Sequence, residues 1–151
     1  MASEETRLQV ADRPPPHDNS GMDARARLFV GIAGLLGALA VGLGAYGAHG
    51  LETALEGLPD AAKRLEWWRT AVLYHLTHAL AVAFVAWLAS HRARAASVAG
   101  ALFVLGIVLF AGTLYAMALG APRWLGAVTP LGGLSLIAGW TTVLAGALRR
   151  G

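Results

Sequence analysis

The sequence predicts an all-α integral membrane protein whose four transmembrane helices form a compact bundle. Of the 151 residues, 56% are hydrophobic and 14% are charged, whereas a soluble domain usually has about 25% charged residues. The mean hydropathy is +0.56. Four apolar stretches lack charged residues in their central parts, and each has roughly the 20 residues that a helix needs to cross a hydrocarbon core.

Two features of the composition exclude whole classes of function. The chain has no cysteine, so it cannot use a thiolate nucleophile, a disulfide or a cysteine-based metal site. The net charge is +3 and the pI is about 10.0, but the arginines flank apolar stretches instead of forming a patch. Membrane topology explains them better than a nucleic-acid partner does.

The chain begins with a polar segment, residues 1–27, which is predicted to be a disordered tail because it shows no apolar periodicity. The apolar sequence starts only after Arg27, so this tail is not expected to be a signal peptide. The four helices of the transmembrane domain, residues 28–148, are predicted at 28–50, 68–89, 96–119 and 130–148.

Helix ends carry their own signals. Trp68 and Trp87 would lie ~28 Å apart along the second helix, a spacing typical of residues at the two membrane edges. Residues 51–66 are predicted to form an amphipathic loop on the membrane surface, since three leucines recur there at helical spacing. Asp60 is expected to cap the second helix, and Thr129 the fourth, where Pro130 would be the first helical residue.

The distribution of basic residues predicts the orientation. Six lie next to the apolar stretches on the side of the two termini and the second loop, or eight with Arg7 and Arg13, and four on the side of the first and third loops. The first group is Arg25, Arg27, Arg92, Arg94, Arg149 and Arg150; the second is Lys63, Arg64, Arg69 and Arg123. Because cytoplasmic loops carry the excess of Lys and Arg, both termini are expected in the cytoplasm.

At 100° per residue, two helices divide into a large apolar face and a small-residue face. In the second helix, the large face is expected to meet lipid, and the small face, which contains His75 and His78, to meet other helices. The first helix is expected to pack in the same way, with its Gly/Ala side inward. That side comprises Gly34, Gly37, Ala38, Gly44, Ala45 and Ala48, opposite Ile32, Leu35, Leu36, Leu39 and Leu43.

Most polar residues of the helices fall in the half of the bundle near the first and third loops, which makes them a candidate site. The candidate cluster comprises His49, His78, Tyr46, Tyr74, Tyr115 and Thr129. Three interpretations apply. His75 and His78 could hold a metal, although no third ligand is evident. The histidines and tyrosines could relay protons. Otherwise they form a hydrogen-bonded network that fixes helix packing.

Four motifs in order resemble those of the YgdD-like family of small inner-membrane proteins. Residues 44–51 (GAYGAHGL) resemble its GAFGAHGL motif, and residues 68–78 its W-x-T-A…Y-Q-x-x-H motif. Residues 110–115 match F-S-G-S-x-Y, and residues 129–140 match T-P-x-G-G…G-W. The resemblance implies a four-helix membrane protein of unknown function. His75 stands where that pattern has Gln, which argues against a metal site built on both histidines.

These observations predict a small membrane protein that is not an enzyme, with no catalytic residue, metal or cofactor. The leading hypothesis is a helix-packing and interaction module, and the alternative is a proton or small-solute transporter that uses the His/Tyr cluster. The expected partners are the lipid bilayer and either a second copy of the chain or another membrane protein.

Overall fold

The computed structural model describes residues 24–89 and 93–148, so the predicted tail up to residue 23 lies outside the described residues. Four helical spans are long and apolar enough to cross a membrane, and we number them in chain order. They cover Ala24–Ala54, Ala61–Leu88, Arg94–Ala118 and Arg123–Leu148. The described residues contain no β-strand.

Within these spans the regular α-helices are Ala24–Tyr46, Glu52–Ala54, Ala61–Leu88, Ala93–Gly106, Gly112–Ala118 and Thr129–Leu148. Two π-helical segments, Gly47–Leu51 and Ile107–Ala111, lie inside the first and third spans. A 3₁₀ segment, Arg123–Ala127, precedes the last helix. π-helical segments inside α-helices are frequent at functional positions, and both occur where another helix approaches closely.

The first two helices begin earlier than the sequence indicated. The first begins at Ala24 because Ala26 is already buried in the core while Arg25 and Arg27 stay exposed. Residues 24–27 are therefore helical and do not belong to the tail. The second helix begins at Ala61, which shortens the predicted loop over 51–66.

That loop also packs differently from the prediction. Leu51 and Leu55 are buried against Trp68 and Ala118, so this segment closes the end of the bundle. Leu58, the third of the leucines, is exposed. Trp68 itself is 2% exposed. It packs in the core instead of facing outward, whereas Trp87 is exposed as predicted.

Neither predicted helix cap forms. Asp60 precedes the second helix without a capping hydrogen bond, since its carboxylate accepts from Arg64 and Arg123 instead. The fourth helix continues from the 3₁₀ segment, and the amides of Leu131 and Gly132 donate to the Val128 carbonyl. A side-chain cap at Thr129 is therefore not needed.

The second helix is the centre of the bundle, because it packs against the first and the third. The third packs closely on the fourth, and the first packs mainly on the second. The main core cluster joins side chains from all four helices, including Phe29, Val82, Phe103 and Leu136. The first helix therefore lies at one edge of the bundle.

Candidate functional site

One polar and aromatic layer surrounds Trp68, near the first and third loops. The Trp68 ring makes edge contacts with Tyr46 and Tyr115, at centroid distances of 5.5 and 4.7 Å. Its Nε1 donates a 2.9 Å hydrogen bond to the Leu43 carbonyl. The Tyr115 hydroxyl lies 3.4 Å from Nδ1 of His75. This layer ties the first three helices together through one buried indole.

Gly47 makes that approach feasible. A Cβ at position 47 would overlap Cδ1 and Nε1 of the Trp68 ring, so only glycine leaves room for the indole. The π-helical segment begins at this same residue. Here the first helix is shaped to receive a side chain of the second.

A second layer, centred on His78, lies deeper in the bundle. Nδ1 of His78 is 2.8 Å from the Tyr74 carbonyl, and Nε2 is 3.3 Å from Nε1 of Trp140. A carbonyl can only accept and an indole N–H can only donate. These two partners therefore assign a neutral imidazole with its proton on Nδ1. The ring of Phe103 packs against both His78 and Trp140.

The contact between the third and fourth helices holds two further polar contacts. The hydroxyls of Thr113 and Thr129 are 2.8 Å apart, and Ser135 donates a 2.8 Å hydrogen bond to the Leu102 carbonyl. A Cβ on Gly132 would collide with the backbone of Leu109 and Phe110. The second π-helical segment contains these two residues, so the fourth helix meets it backbone to backbone.

The structure does not bring the six candidate residues into one cluster. Tyr46 and Tyr115 belong to the Trp68 layer, Tyr74 and His78 to the deeper layer, and Thr129 to the threonine pair. His49 is exposed in the first π-helical segment, where its carbonyl accepts a hydrogen bond from the Thr53 hydroxyl. Each layer spans a different helix contact.

This arrangement does not favour metal binding or proton relay through His78. Both of its nitrogens are used within the protein, and a proton on Nε2 would face the Trp140 N–H donor. Among the residues described, no group of three His, Cys, Asp or Glu side chains could hold a metal. Within the same residues, no hydrogen bond joins the His75–Tyr115 pair to the His78–Trp140 pair.

Sequence reasoning missed two central residues of these layers. Trp140 belongs to the fourth motif but received no role, although it lies one turn from the buried Leu136 and its half-exposed ring reaches His78 and Phe103. Trp68 was interpreted as a residue at the membrane edge. For Trp68 the available signal is Gly47, since a small residue facing an indole leaves room for it. For Trp140 no comparable signal stands in the sequence.

Most residues of these layers lie within the part of the chain that matches a protein family. The family described as "Protein of unknown function (DUF423)" matches residues 43–133, which include Trp68, His78 and the threonine pair. The chain belongs to this family. The match runs from the first π-helical segment to the start of the fourth helix.

Several proteins similar to this chain are named as membrane proteins. A Bacillus subtilis relative, "UPF0382 membrane protein YwdK", is 43% identical over 82% of this chain and 98% of its own length. A Schizosaccharomyces pombe membrane protein is 40% identical over 75% of this chain and 95% of its own. One from Haemophilus influenzae is 35% identical over 80% and 94%. No solved structure matches significantly.

The predicted fold class, an all-α membrane protein with four transmembrane helices, is therefore confirmed. The expected family of small membrane proteins without a known biochemical role is also confirmed. None of the relatives described here has a name that refers to an enzyme. The narrower YgdD-like label stays a prediction.

Proposed function

We propose that this chain is a membrane-embedded helix-packing module, not an enzyme, that associates with a second copy through its first helix. The contact would be made by one outward face, which we call the small-residue face. It comprises Gly31, Gly34, Ala38, Gly42 and Ala45, all exposed. At 100° per residue these positions fall within an arc of about 80°.

The shape of the small-residue face suits a second helix. A Cβ added at Gly31, Gly34 or Gly42 would meet no atom within 4 Å. Larger exposed side chains, Leu35 and Val41 among them, flank the small residues. The face is thus a shallow apolar groove, and small residues at helix spacing allow membrane helices to approach closely.

The low burial of the first helix carries this proposal. In its most apolar 18-residue stretch 17% of the residues are buried, compared with 44%, 39% and 28% in the second, third and fourth spans. A run of glycines weakens a helix by roughly 1 kcal/mol each relative to Ala. Where the chain itself makes no use of them for packing, a partner helix would explain their presence.

A second copy is the partner that the geometry supports best. An apolar face of small residues flanked by larger ones is self-complementary, because a twofold axis places each small residue opposite the same surface of the other copy. The first helix lies at the edge of the bundle, so two copies can meet there without rearranging the core.

Sedimentation in mild detergent tests self-association. Wild type is expected to form a dimer, and Gly34→Leu and Gly42→Leu to weaken its formation by at least about tenfold, since large side chains hold the backbones apart. Gly112→Leu is the matched control, because Gly112 is an exposed glycine of the third span with open space around it. Equal association of all four proteins would contradict the proposal.

The same proposal includes cytoplasmic termini and residence in the cell inner membrane, as in YgdD-like proteins. The excess of Lys and Arg on the terminal side supports this orientation. Because the chain has no native cysteine, single-cysteine variants report it directly. A membrane-impermeant maleimide should label Glu56→Cys in intact cells and leave Ala24→Cys unlabelled; the reverse pattern would overturn the orientation.

A further inference from the structure

A groove of about 420 Å³ separates the first and second helices at the end that carries the first loop. This volume lies in the range of about 300–1,000 Å³ typical of small-molecule sites. The first helix lines the groove with small residues, and the second helix lines it with larger apolar side chains. The lining residues are Gly44, Gly47, Ala48, Val72, Leu73 and Leu76.

The groove is open towards lipid. Leu73 and Leu76 line it and are exposed, on the helix face that was expected to meet lipid. Gly44, Gly47 and Ala48 contribute no side chain long enough to fill the space. A hydrocarbon chain could therefore enter sideways from the bilayer and lie along the contact between the helices.

The rim of the groove carries one cation and one anion. Nη2 of Arg69 lies 3.3 Å from Oε1 of Glu52, and both side chains are largely exposed. A guanidinium has five N–H donors, and this ion pair is the one contact that the described residues provide for it. Arg69 therefore keeps donors for a phosphate, which it can bind in bidentate fashion.

We propose that this groove binds one phospholipid with a phosphoethanolamine headgroup. The phosphate would pair with Arg69, the primary ammonium would donate to the Glu52 carboxylate, and one acyl chain would occupy the apolar lining. The adjacent opposite charges complement a zwitterion, whereas a purely anionic headgroup would be repelled by Glu52. A quaternary choline has no N–H to donate to that carboxylate.

Native mass spectrometry of the detergent-purified chain, titrated with phosphatidylethanolamine, phosphatidylcholine and phosphatidylglycerol, tests this assignment. Wild type should bind phosphatidylethanolamine about tenfold more tightly than the other two, the ratio that one charge-assisted hydrogen bond supplies. Arg69→Gln should weaken this binding about tenfold. Glu52→Gln should remove the preference over phosphatidylcholine, and Ala48→Leu should weaken binding of all three lipids by filling the groove.

Matched controls exist in the same chain. Lys63 and Glu66 form an exposed ion pair near the same end, so Lys63→Gln and Glu66→Gln should leave lipid binding unchanged. Ala101, an exposed alanine of the third span, provides Ala101→Leu as the control for Ala48→Leu. Equal affinities of wild type for the three lipids, or affinities unchanged in Arg69→Gln and Ala48→Leu, would overturn the proposal.

The lipid site does not depend on self-association. The groove faces the second helix, while the small-residue face points away from it. Gly34→Leu should therefore lose the dimer and keep phosphatidylethanolamine, so that failure of one proposal leaves the other intact.

Discussion

The first and second helices each divide into a large apolar face and a small-residue face, but the two helices pack differently. In the second, the small residues and histidines face the core and the large apolar residues face outward, as the sequence predicted. In the first, Ile32 and Leu36 pack on the core while Gly34 and Ala38 are exposed. The expected inward Gly/Ala side is therefore wrong at Gly34 and Ala38, whereas Leu35 and Leu39 are exposed as expected.

The difference shows which signal decides the inward face of a membrane helix. Burial of His75 and His78 settles the second helix, because a polar group in hydrocarbon needs a protein partner. The first helix has no such group between Arg27 and Tyr46. Leucine packs equally well against lipid and in a protein core. Small residues can face a helix of the same chain or a helix of a partner. Its orientation then depends on where the other helices lie.

The largest expected effect separates inward from outward glycines. Gly132→Ala should lower the free energy of unfolding by about 3 kcal/mol, because the new Cβ meets the backbone of Leu109 and Phe110. Gly34→Ala should cause no loss, and could gain up to about 1 kcal/mol of helix propensity. Denaturation in detergent measures both, and equal losses would mean that Gly34 is also packed within the chain.

The next effect compares histidines of the two helices. His78→Ala should cost about 2 kcal/mol, because it leaves the Trp140 N–H without its acceptor. His49→Ala, at an exposed position of the first span, should change the melting temperature little. Tyr74→Phe is a further control, since only the carbonyl of Tyr74 bonds to His78. An unchanged melting temperature for His78→Ala would contradict a packing role for this layer.

A smaller effect on stability is expected at the hydroxyl pair between the third and fourth helices. The first helix makes no contact of this kind within the described residues. A double-mutant cycle of Thr113→Val and Thr129→Val should give a coupling energy of about 0.6 kcal/mol, the average for hydrogen bonds between membrane helices. The readout is the unfolding free energy of the two single variants and the double variant. Strict additivity would mean that the hydroxyl pair does not stabilise the contact.

The smallest effect concerns the connection after the first helix. The hydrogen bond from Arg64, with help from Arg123, holds the pKa of Asp60 below its ordinary value of 3.8. Stability from this carboxylate is thus fully present above that value and is lost as the pH falls through the lower folded pKa.

Melting curves of wild type and Asp60→Asn between about pH 6 and pH 2 should therefore converge at the acid end. The difference at the upper end should be small and should shrink with added salt, since these ion pairs lie at the protein surface and the Arg123 side chain is largely exposed. A constant difference across the whole range would show that the carboxylate charge is not the cause.

The sequence correctly predicted the features that are set by the apolar interior of the membrane. The number of helices, their approximate positions and the two faces of the second helix follow from apolar length and from the cost of burying polar groups. Features that depend on contacts with another helix of the chain could not be predicted from the sequence. Trp68 was assigned to a membrane edge, and Thr129 to a cap, because their contacts with Tyr115 and Thr113 come from distant parts of the chain.

The candidate site shows the same limit. Depth along the helices placed the polar residues at similar levels, but depth does not say which helix faces meet. His78 and Trp140 are far apart in sequence and share a hydrogen bond, whereas His49 and His78 share none. The separate layers appear only once the helices are packed.

Oxidative cross-linking in native membranes tests the outward small-residue face most directly. The chain has no cysteine, so a single-cysteine variant cannot form an internal disulfide, and a product of twice the chain mass reports a bond between two copies. Ala38→Cys should give a cross-linked dimer on a non-reducing gel, and Gly112→Cys, on an exposed position of the third span, should stay monomeric. Absence of a dimer from Ala38→Cys, or equal dimer from both variants, would contradict association through the first helix.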